Sequence, residues 1–121
     1  MTADELKLRT KRFALRVIRL VAALPKTIEG RAIAKQLVRC GTSVAANYRA
    51  SCRARSGNEF VAKMGVVLEE ADETQLWLEL IIESKLLPLK RVESLLPEAN
   101  ELVAIFVASR KSASSNLKST I

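Results

Sequence analysis

Five cations recur along one segment of the chain at spacings that place them on the same side of a helix. Two of them, Arg49 and Arg53, belong to the stretch SVAANYRASCRARS (43–56), where arginines are interspersed with small residues. At about 100° per residue, the five share a ridge about 33 Å long. Its members are Arg31, Lys35, Arg39, Arg49 and Arg53. Because guanidinium groups pair with phosphate oxygens, the ridge predicts contact with the backbone of RNA or DNA.

Further cations adjoin this ridge in the sequence. Arg55 follows it directly, and Arg12 and Arg16 cluster with other arginines on the preceding predicted helix. We include all three in the predicted nucleic-acid-binding surface. Aromatic residues that could stack on bases are almost missing from the ridge, which favours recognition of the backbone over recognition of sequence.

Two other interpretations of the ridge stay open. A charge run is commonly a solvated helix face, with no ligand at all. Alternatively, the cations could contact another protein chain, because a later segment carries an uninterrupted set of acids on one helical face. That set is Glu69, Asp72, Glu73, Glu79 and Glu83. The alternative function is therefore an oligomeric scaffold or protein-interaction module.

Enzymatic chemistry is not expected of this chain. It contains no histidine, which removes Ser-His and Cys-His nucleophile pairs and imidazole metal sites. A glycine-rich phosphate loop and a CxxC pair are also missing. Cys40 and Cys52 would lie about 18 Å apart on one helix, too far for a disulfide. We predict no catalytic residues, no metal and no cofactor.

The overall composition favours a small helical protein with a polyanionic or charge-matched partner. The chain has 121 residues and a formal net charge of +7. Residues 1–56 carry a net charge of +10, whereas residues 57–121 carry −3. No apolar run reaches the roughly 20 residues that span a bilayer, and the charged N-terminus is unlike a signal peptide. These features predict a cytoplasmic protein without a membrane segment.

Apolar spacing of three, four and seven residues predicts four helices. The predicted ranges are 2–24, 28–54, about 57–86, and a less regular fourth helix from 88 that Pro97 should kink or restart. Thr27 and Ser56 are predicted N-caps, and Ser56 with Glu59 forms a capping-box pattern. The fold class is therefore all-α, an antiparallel up-down-up-down four-helix bundle over residues 1–111, followed by a disordered polar tail over 112–121.

The third and fourth helices carry more apolar residues than one bundle core requires. In QLWLELIIESKLL (75–87), apolar side chains point almost all the way round the helix. This excess predicts a second buried face and hence a homo-oligomer. Trp77, Leu80 and Ile81 are the predicted interface residues, with Trp77 as the anchor.

The segment from Arg39 to Ile81 resembles the four-helix-bundle proteins related to those encoded by intervening sequences of 23S ribosomal RNA genes. The resemblance rests on several short motifs in order: Thr42-Ser43-Val44, Ala46-Asn47-Tyr48-Arg49, Arg53-Ala54-Arg55-Ser56, Glu59-Phe60, Glu70-Ala71 and Trp77-Leu78. It implies an antiparallel four-helix bundle. It also implies assembly into a ring-like pentamer, because members and their retroelement accessory relatives form such rings. Those relatives associate with nucleic acid and with a reverse transcriptase, which are the partners the resemblance suggests. No catalytic residues belong to the family.

Overall fold

The structure, a computed structural model, describes residues 1–119. The first helix, α1, spans Ala3–Ala22 and begins with a reciprocal capping box between Thr2 and Glu5. The second, α2, spans Ile28–Cys52, and the hydroxyl of its N-cap Thr27 accepts a hydrogen bond from the Gly30 amide at 3.1 Å. The predicted cap is confirmed. One unbroken rod therefore carries the five cations of the ridge up to its C-cap residue Arg53.

The third helix, α3, spans Gly57–Glu83 and starts with half of the predicted capping box. The Ser56 hydroxyl accepts from the Glu59 amide at 3.1 Å, but the Glu59 carboxylate accepts from the Arg55 amide instead of reaching back to Ser56. At the other end, Lys85 adopts a left-handed conformation with φ 58°. The amides of Lys85 and Leu86 then donate to the carbonyls of Ile82 and Ile81, a pattern that ends helices.

The predicted fourth helix is divided into a single turn and a long helix. The turn, α4, spans Leu89–Val92, and the long helix, α5, spans Leu95–Ser119. Pro97 lies in the first turn of α5, where no intrahelical acceptor is needed for its missing amide hydrogen. The prediction of a restart at this proline is confirmed.

The four long helices form an antiparallel bundle in which each packs on its neighbours in chain order. α1 packs on α2, α2 on α3 and α3 on α5, and a less extensive contact between α1 and α5 closes the bundle. Tyr48 of α2 and Phe106 of α5 are buried and stack on each other, with ring centroids 6.0 Å apart. No strand occurs within residues 1–119. The predicted all-α four-helix bundle is confirmed.

Helix α5 continues through residues that the sequence predicts to be a disordered tail. Residues 112–119 are helical, and Leu117 packs over Gly57 at the start of α3. A β-carbon at Gly57 would lie 2.6 Å from the Leu117 side chain, so the missing side chain makes room for this contact. The difference arises because the tail has a tertiary partner that composition does not reveal. Residues 120–121 of the predicted tail lie outside the described residues.

Among residues 1–119, no helix is both long enough and apolar enough to cross a bilayer.

Candidate nucleic-acid interface

The cations of α2 do not all share one environment. Arg31 and Lys35 are exposed near the start of the helix, and neither makes an ion pair within residues 1–119. Arg39, by contrast, pairs with two carboxylates of α3. Its Nη1 lies 3.1 Å from Glu70, and its Nη2 contacts Glu73. These two acids occupy the guanidinium and leave a gap in the middle of the predicted ridge.

The neighbouring carboxylates also affect the pKa of Arg39. Desolvation acts to lower its pKa, but the charges of Glu70 and Glu73 and a hydrogen bond to Glu70 outweigh this effect, so the pKa lies above its usual value. Glu73 belongs to the acidic face that the scaffold hypothesis assigns to an inter-subunit contact. That carboxylate is already in use within the chain.

At the end of α2, the antiparallel packing of α1 adds a cation that the sequence did not assign. Lys7 of α1 lines an open depression of about 250 Å³ together with Arg49 and Arg53 of α2. No acidic residue lines it within the described chain. Within residues 1–119, Lys7 has one ion pair, at 3.8 Å to Asp4 in the first turn of α1. We call these three residues the α1/α2 basic cluster.

The signal for Lys7 was present in the predicted topology. In an antiparallel pair, the first turns of one helix lie beside the last turns of the other, so Lys7 faces the end of α2. Arg55 lies beyond that end. Its side chain is almost fully exposed and its Nε is 3.6 Å from Glu59, so its charge is partly balanced by the first turn of α3.

Two arginines of α1 contact α5 or the residue just before it. Arg9 donates to the two carboxylate oxygens of Glu98, at 2.8 Å from Nε and 2.6 Å from Nη2. These hydrogen bonds, with a further ion pair to Glu101, raise the pKa of Arg9. Arg12 and Arg16 line a depression beside this pair, and Arg16 donates to the Ser94 hydroxyl at 2.9 Å. The eight predicted binding residues therefore do not form one continuous surface.

The predicted oligomer-interface residues are also divided by the structure. Ile81 is fully buried in the core of the chain itself, so its assignment to an intermolecular face is wrong. Its position on α3 faces inward toward the other helices, which apolar content alone could not reveal. Leu80 is exposed at 39%, and Trp77 is half-buried against the core. The indole Nε1 of Trp77 is buried without a hydrogen-bond partner in the described structure.

The chemistry available to these residues is ionic and apolar. Within residues 1–119, no three His, Cys, Asp or Glu side chains are grouped so that they could hold a metal ion. Cys40 is buried and Cys52 is half-buried, and both are free thiols. The surface offers guanidinium and ammonium groups to an anionic partner and leucine and isoleucine side chains to an apolar one.

The fold and these surfaces define the class as a basic, antiparallel four-helix-bundle protein. The family model of the 23S rRNA-intervening sequence proteins matches residues 5–108. A solved structure from Bacteroides thetaiotaomicron is similar over 92% of this chain and 99% of its own, with a TM-score of 0.83 and 31% identity. It is described as a protein of unknown function from the S23 ribosomal protein family. No protein of curated function matches the chain. The chain belongs to the 23S rRNA-intervening sequence protein family, which confirms the resemblance inferred from its motifs.

Proposed function

We propose that this protein is a non-enzymatic, self-associating helical bundle that binds the phosphate backbone of RNA or DNA. The observation that carries the proposal is the α1/α2 basic cluster of Lys7, Arg49 and Arg53. Three cations from two helices border one depression that no described acid lines. Like charges held together in this way repel one another, and an anionic backbone would relieve that repulsion.

Two further cations extend the binding surface along α2. Lys35 and Arg31 lie on the same rod, about 21 Å and about 27 Å from Arg49 at the helical rise. A polyanionic chain running along α2 would contact the cluster at one end and these two residues at the other. Arg39 lies between them but is occupied by Glu70 and Glu73, so its contribution is small.

Base stacking contributes little in this proposal, because the large aromatic residues are not available. Phe13, Tyr48 and Phe106 are buried in the core, and Phe60 and Trp77 are half-buried. Recognition therefore depends on phosphate contacts, which carry no sequence information directly. The affinity should fall steeply with salt, as bound counterions are released on binding.

The direct test reverses the charges at the end of α2. The variant R49E/R53E/R55E should lose binding in a gel-shift titration with RNA and with DNA, while its circular dichroism stays unchanged. The matched control R110E/K111E/K118E makes the same change in net charge on α5, where those residues border a different depression. Binding of both nucleic acids by the first variant at wild-type affinity would refute the proposal.

A specific observation also favours the scaffold alternative. Exposed apolar side chains form a stripe on α1 that consists of Leu8, Leu15 and Ile18. Lys11, Arg12 and Arg19 lie beside it. A corresponding stripe on α3 consists of Val66, Leu76 and Leu80, and Glu69 and Asp72 lie beside it. The two stripes have opposite charge, and α1 and α3 occupy opposite corners of the bundle. A contact between them would join copies head to tail, which gives a ring if the rotation closes.

In the scaffold alternative, the assembly itself is the function, with a pentamer proposed from the family resemblance. A reverse transcriptase stays a proposed partner on the same basis. Size-exclusion light scattering of L15D and L80D tests the contact, since both residues are partly exposed and the fold should tolerate the change. I28D is a matched control, because Ile28 is exposed at 89% but belongs to neither stripe. Wild-type mass for both L15D and L80D would refute this interface.

A further inference from the structure

A second group of arginines surrounds a depression at the opposite end of α1. Arg16 and Arg19 of α1 and Arg91 of α4 line it, together with Leu20, Ser94 and Leu95. The space measures about 210 Å³, several times the roughly 30 Å³ that one water molecule occupies in the liquid. We call this group the triple-arginine pocket. It brings together two helices that are far apart in the sequence.

The charge of the pocket is uncompensated within the described chain. None of its three arginines forms an ion pair in residues 1–119, and no acidic residue lines the space. Glu93 is next to Ser94 in the sequence but is exposed and does not line the pocket. Three guanidinium groups beside one small space repel one another, and a bound anion would remove this unfavourable term.

The adjacent depression on the same side of α1 provides an internal comparison. There, Arg9 is balanced by Glu98 and Glu101, and Glu5 also borders the space. Carboxylates therefore line the groove between α1 and α5 near the start of α1, and none lines it near the C-terminal end of α1 within the described residues. Within this groove, the depression without a carboxylate is the triple-arginine pocket.

Two features order part of the pocket. The Ser94 hydroxyl accepts a hydrogen bond from Nη2 of Arg16 at 2.9 Å, which orients that guanidinium. Leu20 and Leu95 are buried and form a fixed apolar floor. Leu95 is also the first residue of the long helix α5, so the positive end of its dipole adjoins the same space.

We infer that the triple-arginine pocket binds a phosphate monoester, either the terminal phosphate of a nucleic acid or a free phosphorylated small molecule. A monoester carries a charge of about −1.5 to −2 at neutral pH and has three terminal oxygens. Each oxygen can accept from an arginine fork, and three arginines match three oxygens. An internal phosphodiester has one charge and fewer free oxygens, and it would satisfy the pocket less completely.

The pocket is separable from the α1/α2 basic cluster. Arg19 and Arg91 belong to neither the cluster nor the set of predicted binding residues, and Arg16 belongs to that predicted set but not to the cluster. The inference therefore does not require the nucleic-acid proposal to be correct, and the two can fail independently.

The primary experiment uses inorganic phosphate as the probe at pH 7. In a ¹H–¹⁵N NMR titration, phosphate should shift the arginine Nε–H signals and the backbone amides of Ser94 and Leu95. R19Q and R91Q should each weaken binding at least about tenfold, since each removes charge-assisted hydrogen bonds. R91K should restore part of the affinity, because it keeps the charge but loses the fork. R110Q removes one charge from α5 and should bind phosphate as the wild type does.

A second arm identifies the source of the phosphate. Two RNA oligonucleotides of one sequence, with a 5′-phosphate or a 5′-hydroxyl, are compared by fluorescence anisotropy. Tighter binding of the phosphorylated strand, lost in R91Q, supports the inference and assigns the site to a nucleic-acid terminus. Equal binding of the two strands, with inorganic phosphate still bound in the first arm, supports it and assigns a free phosphorylated ligand.

Two results would overturn the inference. One is no response to inorganic phosphate together with no preference for the phosphorylated strand. The other is phosphate binding that R19Q and R91Q leave unchanged. The variant R49E/R53E/R55E separates this inference from the proposed function, because it should lose RNA binding and keep the NMR response to phosphate.

Discussion

Gly41 of α2 lies directly against Val17 of α1. A β-carbon added at Gly41 would come within 2.8 Å of Cγ1 and 2.9 Å of Cγ2 of Val17, closer than real β-carbons approach other atoms. Val17 itself is fully buried. The glycine thus allows the two helix backbones to come close together.

Replacing Gly41 with alanine should destabilise the protein despite the better helix propensity of alanine. Propensity contributes about 1 kcal/mol in favour of the variant, but overpacking against Val17 costs about 1–3 kcal/mol. We expect a net loss of up to about 2 kcal/mol in the free energy of unfolding by urea denaturation.

Gly65 provides the matched control for this substitution. It also lies inside a helix, and an added β-carbon would be 3.4 Å from Nε of the flexible Arg110 side chain. G65A should therefore stabilise the protein by about 0.5–1 kcal/mol. Equal and stabilising effects of G41A and G65A would contradict the close contact with Val17.

The pair between Arg9 and Glu98 should be worth more to stability than the pairs of Arg39. Both partners are about four-fifths buried and share two hydrogen bonds, at 2.8 and 2.6 Å. We expect R9Q and E98Q each to reduce the free energy of unfolding by about 1–2 kcal/mol, with a coupling of about 1 kcal/mol in a double-mutant cycle. The cycle of R39Q with E70Q should give a smaller coupling, because Arg39 is more exposed. If the coupling energy of Arg9 with Glu98 is no larger than that of Arg39 with Glu70, the Arg9–Glu98 pair does not contribute more to stability.

The two thiols should differ in reactivity. Cys40 is fully buried, and burial raises its pKa to about 11, an effect that a hydrogen bond from Thr74 to its sulfur partly offsets. Cys52 is half-buried. We expect a thiol reagent at pH 8 to modify Cys52 in the native protein and Cys40 only after denaturation. The C52S variant retains Cys40, and the C40S variant retains Cys52. Modification of Cys40 in native C52S as fast as that of Cys52 in native C40S would show that the core is open.

The raised pKa of Cys40 also predicts a pH dependence of stability. Between about pH 9 and 11 the unfolded thiol loses its proton while the folded one keeps it, so the stabilisation is complete below pH 9 and declines as the pH rises. The C40A variant is the control for a second group with a raised pKa. Burial is the largest cause of the raised pKa of Tyr48, and this residue is present in both proteins, so its effect cancels when they are compared. The stability difference between wild type and C40A should shrink over this range. A difference that is constant with pH would contradict the buried thiol.

Arginines of α2 that carry the same charge should differ in their effect on nucleic-acid binding. R49Q should weaken RNA binding and make the negative slope of log K against log salt less steep by about 0.7–0.9. K7Q should do the same, although Lys7 is on another helix, because it borders the same depression. R39Q should have little effect, since Glu70 and Glu73 already occupy Arg39. Equal losses for R39Q and R49Q would show that the ridge acts as a whole and that the cluster has no special role.

Local features made most of the fold predictable from the sequence. The start of α2 follows from Thr27, whose hydroxyl satisfies an amide three residues away, and the restart at Pro97 follows from its own missing hydrogen. The core positions of α1 repeat at helical spacing, which places them on one buried face: Leu6, Phe13, Val17 and Leu20. Such interactions reach one or two turns, so the order of residues contains them.

Only the tertiary structure decided which charges are free. The sequence placed Arg39 and Arg49 on one ridge, but packing of α3 beside α2 gave Arg39 two carboxylates and left Arg49 next to Lys7. Tertiary packing also decided that Ile81 is buried in the core. It decided as well that Arg91, on the single turn α4, lies beside Arg16 and Arg19 of α1. Helical periodicity fixes the direction of a side chain around its own axis. The neighbour that it meets depends on how the helices are arranged around one another.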